Sequence, residues 1–194
     1  MSLLDMRLTK GRVQIVEAPL HFGAELLSLR CKMQEGHFYF INDQYFIDFP
    51  DKCLMQNKET IAGVVHDRPS FLSFTDLSTG LQWMIPISSR VSKYRNIYNR
   101  KTANGKKCDT IAFGDVLGQE RAFLIQNMCP ITPEYIKNEY LDSVTRIPVR
   151  LSGNKEAEII QKARKVLSLV KQKNMTFLIF PDVLTIERKL LGID

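Results

Sequence analysis

The sequence predicts an α+β fold: a small twisted antiparallel β-barrel or rolled sheet, with helices packed on it mainly at the C-terminal end. Three observations lead there. Short aromatic and β-branched runs recur between turn residues from His37 to Ile125. One long amphipathic stripe, Lys155–Lys173, comes after them. Among the short runs, the apolar stretch Leu81–Ile87 reads as a buried strand and ends in Ser88 and Ser89.

In chain order, Val13–Val16 suits a short strand and Ala24–Leu29 a helical turn or two. Neither leads into the strand pattern of the rest of the chain. Met33 opens that clearer pattern, so residues 1–32 are expected to be an extension, with 33–194 forming one domain and Met33 a possible natural start. His37–Ile41 is β-prone, Asn42–Gln44 supplies turn residues, and the alternation of Tyr45–Phe49 predicts the return strand of a hairpin. Lys52–Thr60 is polar and irregular, and Val64–Val65 is a short apolar step. Pro69 holds Arg68 extended, and Ser70–Thr75 forms a strand before the turn Asp76–Gly80.

After Leu81–Ile87, Ser92–Arg100 has helical spacing, with Tyr94 and Tyr98 on one face. A polar loop, Thr102–Lys107, leads to strands at Cys108–Phe113 and Arg121–Ile125 around a turn at Gly114–Gly118. Thr132 before Pro133 predicts a capped helix over Glu134–Tyr140. Asn154 caps the long helix, whose stripe is Ile159, Ile160, Ala163, Val166, Leu167 and Val170. Phe177–Phe180 reads as a short strand, and Asp182 caps a last helix that ends at Gly192.

Composition narrows the function classes. A chain of 194 residues with 44% hydrophobic content can bury one core. Its net charge of +6 favours an anionic partner, although a basic surface alone is also common among soluble proteins. Cys31, Cys53, Cys108 and Cys129 are too scattered for a disulfide frame or a zinc site. No apolar run approaches the roughly 18 residues of a membrane span, and no signal peptide is visible, so a cytoplasmic protein without membrane partners is expected.

The charge is concentrated. Arg90–Lys107 holds seven Lys or Arg and no Asp or Glu. Ser88 and Ser89 therefore meet Arg90, Lys93, Arg95, Arg100, Lys101, Lys106 and Lys107, with Tyr94 and Tyr98 interleaved. Cations suit phosphates and flat rings suit unstacked bases, which points to single-stranded RNA. RNA carries its own nucleophile, the 2′-hydroxyl. A site that cleaves it must take that proton, offset charge on the phosphoryl oxygens and protonate the leaving 5′-oxygen. The products are a 2′,3′-cyclic phosphate and a 5′-hydroxyl. Ser88 and Ser89 can bond the phosphate or orient the 2′-hydroxyl, and Arg90 or Lys93 can offset charge. His66, beside Asp67, can move a proton.

Each assignment has a structural alternative. Serines at a strand end also bond their own backbone. His66 also suits a surface turn in which Asp67 pairs with Arg68. Tyr39 and Tyr45 suit the core as well as base stacking, Trp83 suits the core, His37 suits a half-buried strand position as well as an RNA contact, and Arg100–Lys107 suits a solvated loop as well as a phosphate track. No cluster of Asp, Glu and His presents itself, so no metal or other cofactor is expected.

Several fragments in order carry a resemblance: HFYFINDQYFIDF, HDRPSFLSF, LQWMIPISS followed by a basic helix, CDTIAFG, and ERAFLIQNMCPIT followed by EYIKNEY. Together they resemble the toxins of type III toxin–antitoxin systems, the ToxN/AbiQ family, and most closely its CptN branch. The resemblance spans roughly Met33 to Tyr140. It implies a MazF/Kid-like barrel core and a sequence-selective endoribonuclease. Such a toxin processes a repeat-derived pseudoknot RNA antitoxin, is inhibited by it in a closed protein–RNA hetero-oligomer, and cuts cellular or phage RNA to arrest growth. Ser88 and Ser89 match the family's hydroxyl pair. Lys93 falls a residue or two later than the family's lysine, and Arg90 is closer. Two other readings stay open: a non-catalytic RNA-binding module, and a MazF-type toxin held by a protein antitoxin.

Overall fold

A computed structural model describes residues 33–61, 63–151 and 153–193. The expected strand at 13–16 and helical turns at 24–29 lie outside the described residues. Nine strands are described: β1 Phe38–Ile41, β2 Lys58–Ile61, β3 Val64–Asp67, β4 Pro69–Thr75, β5 Gln82–Ser88, β6 Ala112–Val116, β7 Gln119–Phe123, β8 Cys129–Ile131 and β9 Ile136–Glu139. The helices are α1 Asp43–Asp48, α2 Val91–Thr102, α3 Gly153–Lys173 and α4 Val183–Leu190.

Seven strands form one sheet in the order β6-β7-β5-β4-β1-β9, with β8 also paired to β5. Every pairing in it is antiparallel. Among the described residues the path runs from β6 to β9 without closing, so the expected barrel is not confirmed. β2 and β3 form a separate hairpin, turned at Gly63 with φ +81°.

β5 is the centre of the sheet, as its apolar run predicts. It pairs with β4 on one side and is shared between β8 (Gln82–Met84) and β7 (Ile87–Ser88) on the other. The join falls at Pro86. Its carbonyl accepts from the Leu124 amide at 3.1 Å, so its missing N–H lies on that same side, beside the 3₁₀ turn Ile125–Asn127 that separates β7 from β8. Both faces of the sheet are covered. Trp83, Ile85, Ile87, Phe71 and Phe123 pack with Ile159, Ala163, Val166 and Val170 of α3. Met84, Leu72, Tyr39 and Ile131 pack with Tyr45 and Phe49 of the α1 segment and Ile186 of α4. Burial on two faces is why β5 reads as a continuous run and not as an alternation.

Several elements differ from expectation. Tyr45–Asp48 belongs to a helix that ends at Phe49, not to a return strand. Asn42 caps α1 by accepting from the Gln44 amide at 3.0 Å, and the i, i+4 pair Tyr45 and Phe49 turns inward. The segment Lys58–Asp67 forms a hairpin that polarity hid. β6 runs further along the chain than expected because the turn has only two residues, Leu117 and Gly118, at φ 55° and 74°. Thr132 makes no side-chain cap; a 3₁₀ turn at Pro133–Tyr135 hands over to β9, which pairs with β1. Thr176–Leu178 is a 3₁₀ turn, not part of a strand. α3 keeps its predicted stripe, and Asp182 caps α4 by accepting from Thr185.

Gly36 gives a first test. Its φ is +84°, and an added Cβ would meet the Glu156 carboxylate at 2.6 Å. Gly36→Ala is expected to lower unfolding stability by about 1 kcal/mol from backbone strain alone, readable in a denaturant titration.

Candidate active site

One end of the sheet is hollowed into a cleft of about 330 Å³. Four chain segments meet there. β3 ends in His66 and Asp67, and a single link, Arg68, joins it to Pro69 of β4. β5 contributes Ile87 and, just past its end, Ser89. The β6–β7 hairpin brings Leu117, Gln119 and Arg121, and Tyr140 comes just after β9. The cleft thus holds an imidazole, a hydroxyl, two guanidiniums and a phenol.

Local structure sets each group. Pro69 keeps Arg68 extended, and the Arg68 amide donates to the Asn57 carbonyl, which ties the link to the start of the β2–β3 hairpin. That hairpin is also tethered by Asn57 Nδ2 donating to the Ile41 carbonyl at 3.0 Å. His66 lies opposite Glu59 in the hairpin register and is exposed. Asp67 accepts from Lys137 Nζ at 2.8 Å. That carboxylate raises the Lys137 pKa, and the pair neutralises Asp67 at the cleft rim. Arg121 donates to Gln119 Oε1 at 2.5 Å along its own strand. Tyr140 is braced by an edge contact with Phe40 at 5.4 Å. Arg68 is 9% exposed, so its guanidinium works in a partly desolvated setting where charge counts for more.

Of the residues singled out by sequence, only Ser89 and His66 line the cleft. Ser88 is 1% exposed, and its Oγ accepts from the Arg90 amide at 3.2 Å, which is the turn role of a strand-end serine. Lys93 Nζ lies 5.5 Å from the Tyr94 ring and does not line the cleft. Tyr94 is a correction: at 8% exposure it fills a small core with Ile111, Ala122 and Leu124, so its ring is not offered to a base. Tyr39 is likewise core, its hydroxyl accepting from the Gln34 amide at 2.8 Å. His37 is buried and bonded through Nδ1 to Glu139. Arg95 pairs with Glu120 and lies over the Phe113 ring at 3.8 Å, and Tyr98 meets the same ring edge-on. Lys101 donates to Thr110 and Gln126. Arg100, Lys106 and Lys107 are exposed on α2 and the loop after it. The basic segment is therefore spread around α2 and not gathered at the serines.

Arg68, Gln119, Arg121 and Tyr140 were not singled out by the sequence. The HDRP run held one signal: an arginine fixed by a following proline beside a titratable histidine. Nothing local marked Arg121 or Tyr140, which reach the cleft only through the pairing of β7 with β5 and of β9 with β1.

No family model matches the chain, and no curated protein sequence matches it. Among solved structures, AbiQ, a lactococcal anti-phage endoribonuclease of a type III toxin–antitoxin system, aligns with a TM-score of 0.58 at 12% identity, over 79% of this chain and 94% of AbiQ. A toxin structure from a bacterial type III system, reported with selective inhibition by a non-coding RNA pseudoknot, aligns at 0.53 and 16% identity, over 81% of this chain and 98% of its own. At these identities the likeness is one of fold. The chain shares its α+β fold with these two structures. Among the described residues, no helix is long and apolar enough to cross a membrane.

Proposed function

We propose that this protein is a cytoplasmic endoribonuclease toxin controlled by a pseudoknot-forming RNA antitoxin. The single observation that supports it most is the joint placement of His66, Ser89, Arg68 and Arg121 in one cleft at the sheet end. His66 is the proton-transfer group for 2′-hydroxyl attack. Ser89 bonds the phosphate or orients the 2′-hydroxyl. Arg68 and Arg121 offset charge on the phosphoryl oxygens, a role for which a planar guanidinium fork is well suited. Tyr140 supplies a further hydroxyl at the cleft wall. The bond from the 2′-oxygen to phosphorus forms as the bond to the 5′-oxygen breaks, and the leaving oxygen takes a proton. The products carry 2′,3′-cyclic phosphate and 5′-hydroxyl ends, and a chelator is expected to leave the rate unchanged.

The proposal extends to the partner. The toxin cuts its own repeat RNA precursor and is held by the product in a closed assembly, and release of the toxin arrests growth and limits phage. Affiliation with the CptN branch belongs to this proposal too. The test is to purify the protein from cells that carry its upstream DNA and to extract the bound nucleic acid. One short RNA species with cyclic-phosphate ends is expected. Absence of RNA would favour a protein-controlled toxin, and RNA with ordinary ends a binding module.

Two substitutions separate the cleft from the basic helix. Ser89→Ala is expected to lower RNA cleavage by about a hundredfold, the usual loss for one transition-state hydrogen-bond donor. Lys93→Ala is expected to stay within about threefold of wild type, because an exposed cation outside the cleft contributes only long-range attraction. Equal losses in the two variants would place the chemistry on α2. Removal of residues 1–32 is expected to leave cleavage intact.

A further inference from the structure

The described surface carries a second place suited to nucleic acid, away from the cleft. Phe177 and Phe180 are 70% and 50% exposed, an uncommon state for two phenylalanines on one short turn. The chain between and around them explains why both point outward. Leu178 packs on the main core and Ile179 is 3% exposed, so the inward positions of the turn are already filled.

The turn is held firmly. The Phe180 amide donates to the Gln126 carbonyl at 2.7 Å, and the Gln126 side chain accepts from Lys101 Nζ at 3.0 Å. Phe177 and Phe180 line a cavity of about 480 Å³ together with Lys101, Lys106 and Lys107. The one carboxylate in that cavity, Asp109, is paired with Lys165 at 2.5 Å. Lys106 and Lys107 are exposed and make no ion pair with a described carboxylate. The same two rings also line a second hollow of about 690 Å³.

We infer that Phe177 and Phe180, with Lys106 and Lys107, form a second docking surface for unpaired RNA nucleotides, in which bases stack on the two rings and flanking phosphates meet the lysines. This rests on the proposal that the protein acts on RNA and adds a site to it. Charge complementarity selects the occupant. A purely apolar partner segment gains nothing from the lysines, whereas a single strand presents flat apolar bases and a phosphate at each step. Stacking tolerates any base, so the surface adds affinity without dictating sequence. It thereby leaves selection of the cut site to the cleft.

The test uses the full chain and two probes. The first is a long single-stranded 2′-O-methyl oligoribonucleotide, which lacks the cleavage nucleophile and reports binding. The second is a short cleavable oligonucleotide that fills only the cleft and reports rate. Replacing both Phe177 and Phe180 by Ala is expected to weaken binding of the long probe about tenfold or more. It should leave the short-substrate rate unchanged. Phe180→Trp should keep the affinity. Replacing Lys106 and Lys107 by Ala should reduce the slope of log affinity against log salt by about 1.4, the share of two phosphate contacts on a single strand.

A long probe carrying abasic positions should bind wild type and the Phe variant equally. Unchanged long-probe affinity in the Phe variant overturns the inference, even where wild type cleaves RNA normally. Phe-dependent binding by a wild-type protein that never cleaves RNA keeps this inference and defeats the nuclease assignment instead.

Discussion

His66→Ala is expected to lower RNA cleavage by about a hundredfold to ten-thousandfold while leaving RNA binding and the melting temperature close to wild type. The range is that of a lost positioned proton-transfer group. Stability should hold because His66 is exposed at the end of β3, in a two-stranded hairpin outside the main sheet. Binding should hold because Arg68 and Arg121 remain. A variant that loses binding in proportion to rate would make His66 a ligand contact and not a proton carrier. Arg121→Ala is the natural companion, with loss of both rate and affinity.

Lys171→Ala is expected to destabilise the fold by about 3 kcal/mol, the cost of stripping one partner from a partly buried ion cluster. Lys171 Nζ donates to Asp76 at 2.9 Å and to Glu187 at 2.7 Å, joining the β4–β5 turn to α3 and α4. It also lies 5.8 Å from the Trp83 ring, so its stem and charge seal the core beside β5. Without it two carboxylates face each other with no cation between them. Burial pushes the Asp76 carboxyl up, but hydrogen bonds from Ser78 and Lys171 outweigh it and hold the pKa at about 2. Burial lowers the Lys171 pKa, and the bonds to Glu187 and Asp76 outweigh that and raise it.

The signs give a pH window. Asp76 has a depressed folded pKa, so its contribution is present above the ordinary carboxylate range and fades as pH falls toward 2. Lys171 has a raised folded pKa, so its contribution is present below the ordinary lysine range and fades as pH rises past it. The Lys171→Ala deficit should therefore be full at neutral pH and shrink in acid, as tracked by denaturant titrations across pH. A deficit that stays constant down to pH 2 would mean that the loss is packing and not charge. The substitution should leave the cleavage rate of the folded fraction unchanged, because Lys171 does not line the cleft.

How much of this was legible in the sequence depends on the range of the interactions involved. β4, β5, α3 and α4 could be read because one-dimensional patterns decide them: an apolar run, a 3.6-residue stripe and an aspartate cap. Tyr45–Phe49 misled because Tyr, Phe, Ile, Asp, Phe satisfies both a two-residue and a four-residue spacing, and the asparagine ahead of it settled the matter. β9 was hidden because its pairing with β1 lies far away in the chain, and no local signal announces it.

The site was half legible for the same reason. Ser89 stands at the end of the apolar run that the sequence marks, and His66 stands out as a titratable group in the HDRP run. Arg121 enters the cleft because Ala122 pairs with Ser88 across two strands, which spacing along the chain does not reveal. The density of cations in Arg90–Lys107 drew attention to α2, yet a helix disperses such a run around its axis. Tyr94 turned into the core and Arg95 onto Phe113, while Lys106 and Lys107 came to lie beside two phenylalanines from the other end of the sequence.

The proposed activity is RNA cleavage by 2′-hydroxyl attack in the cleft formed by β3, β5 and the β6–β7 hairpin. Its most direct measurement is to incubate the purified protein with a defined single-stranded RNA in the presence of chelator and to determine the chemistry of both new ends. Discrete cuts leaving a 2′,3′-cyclic phosphate and a 5′-hydroxyl are expected, abolished when the 2′-hydroxyl at the cut position is replaced by hydrogen. Cuts that leave a 3′-hydroxyl and a 5′-phosphate, or that survive loss of that 2′-hydroxyl, would contradict it.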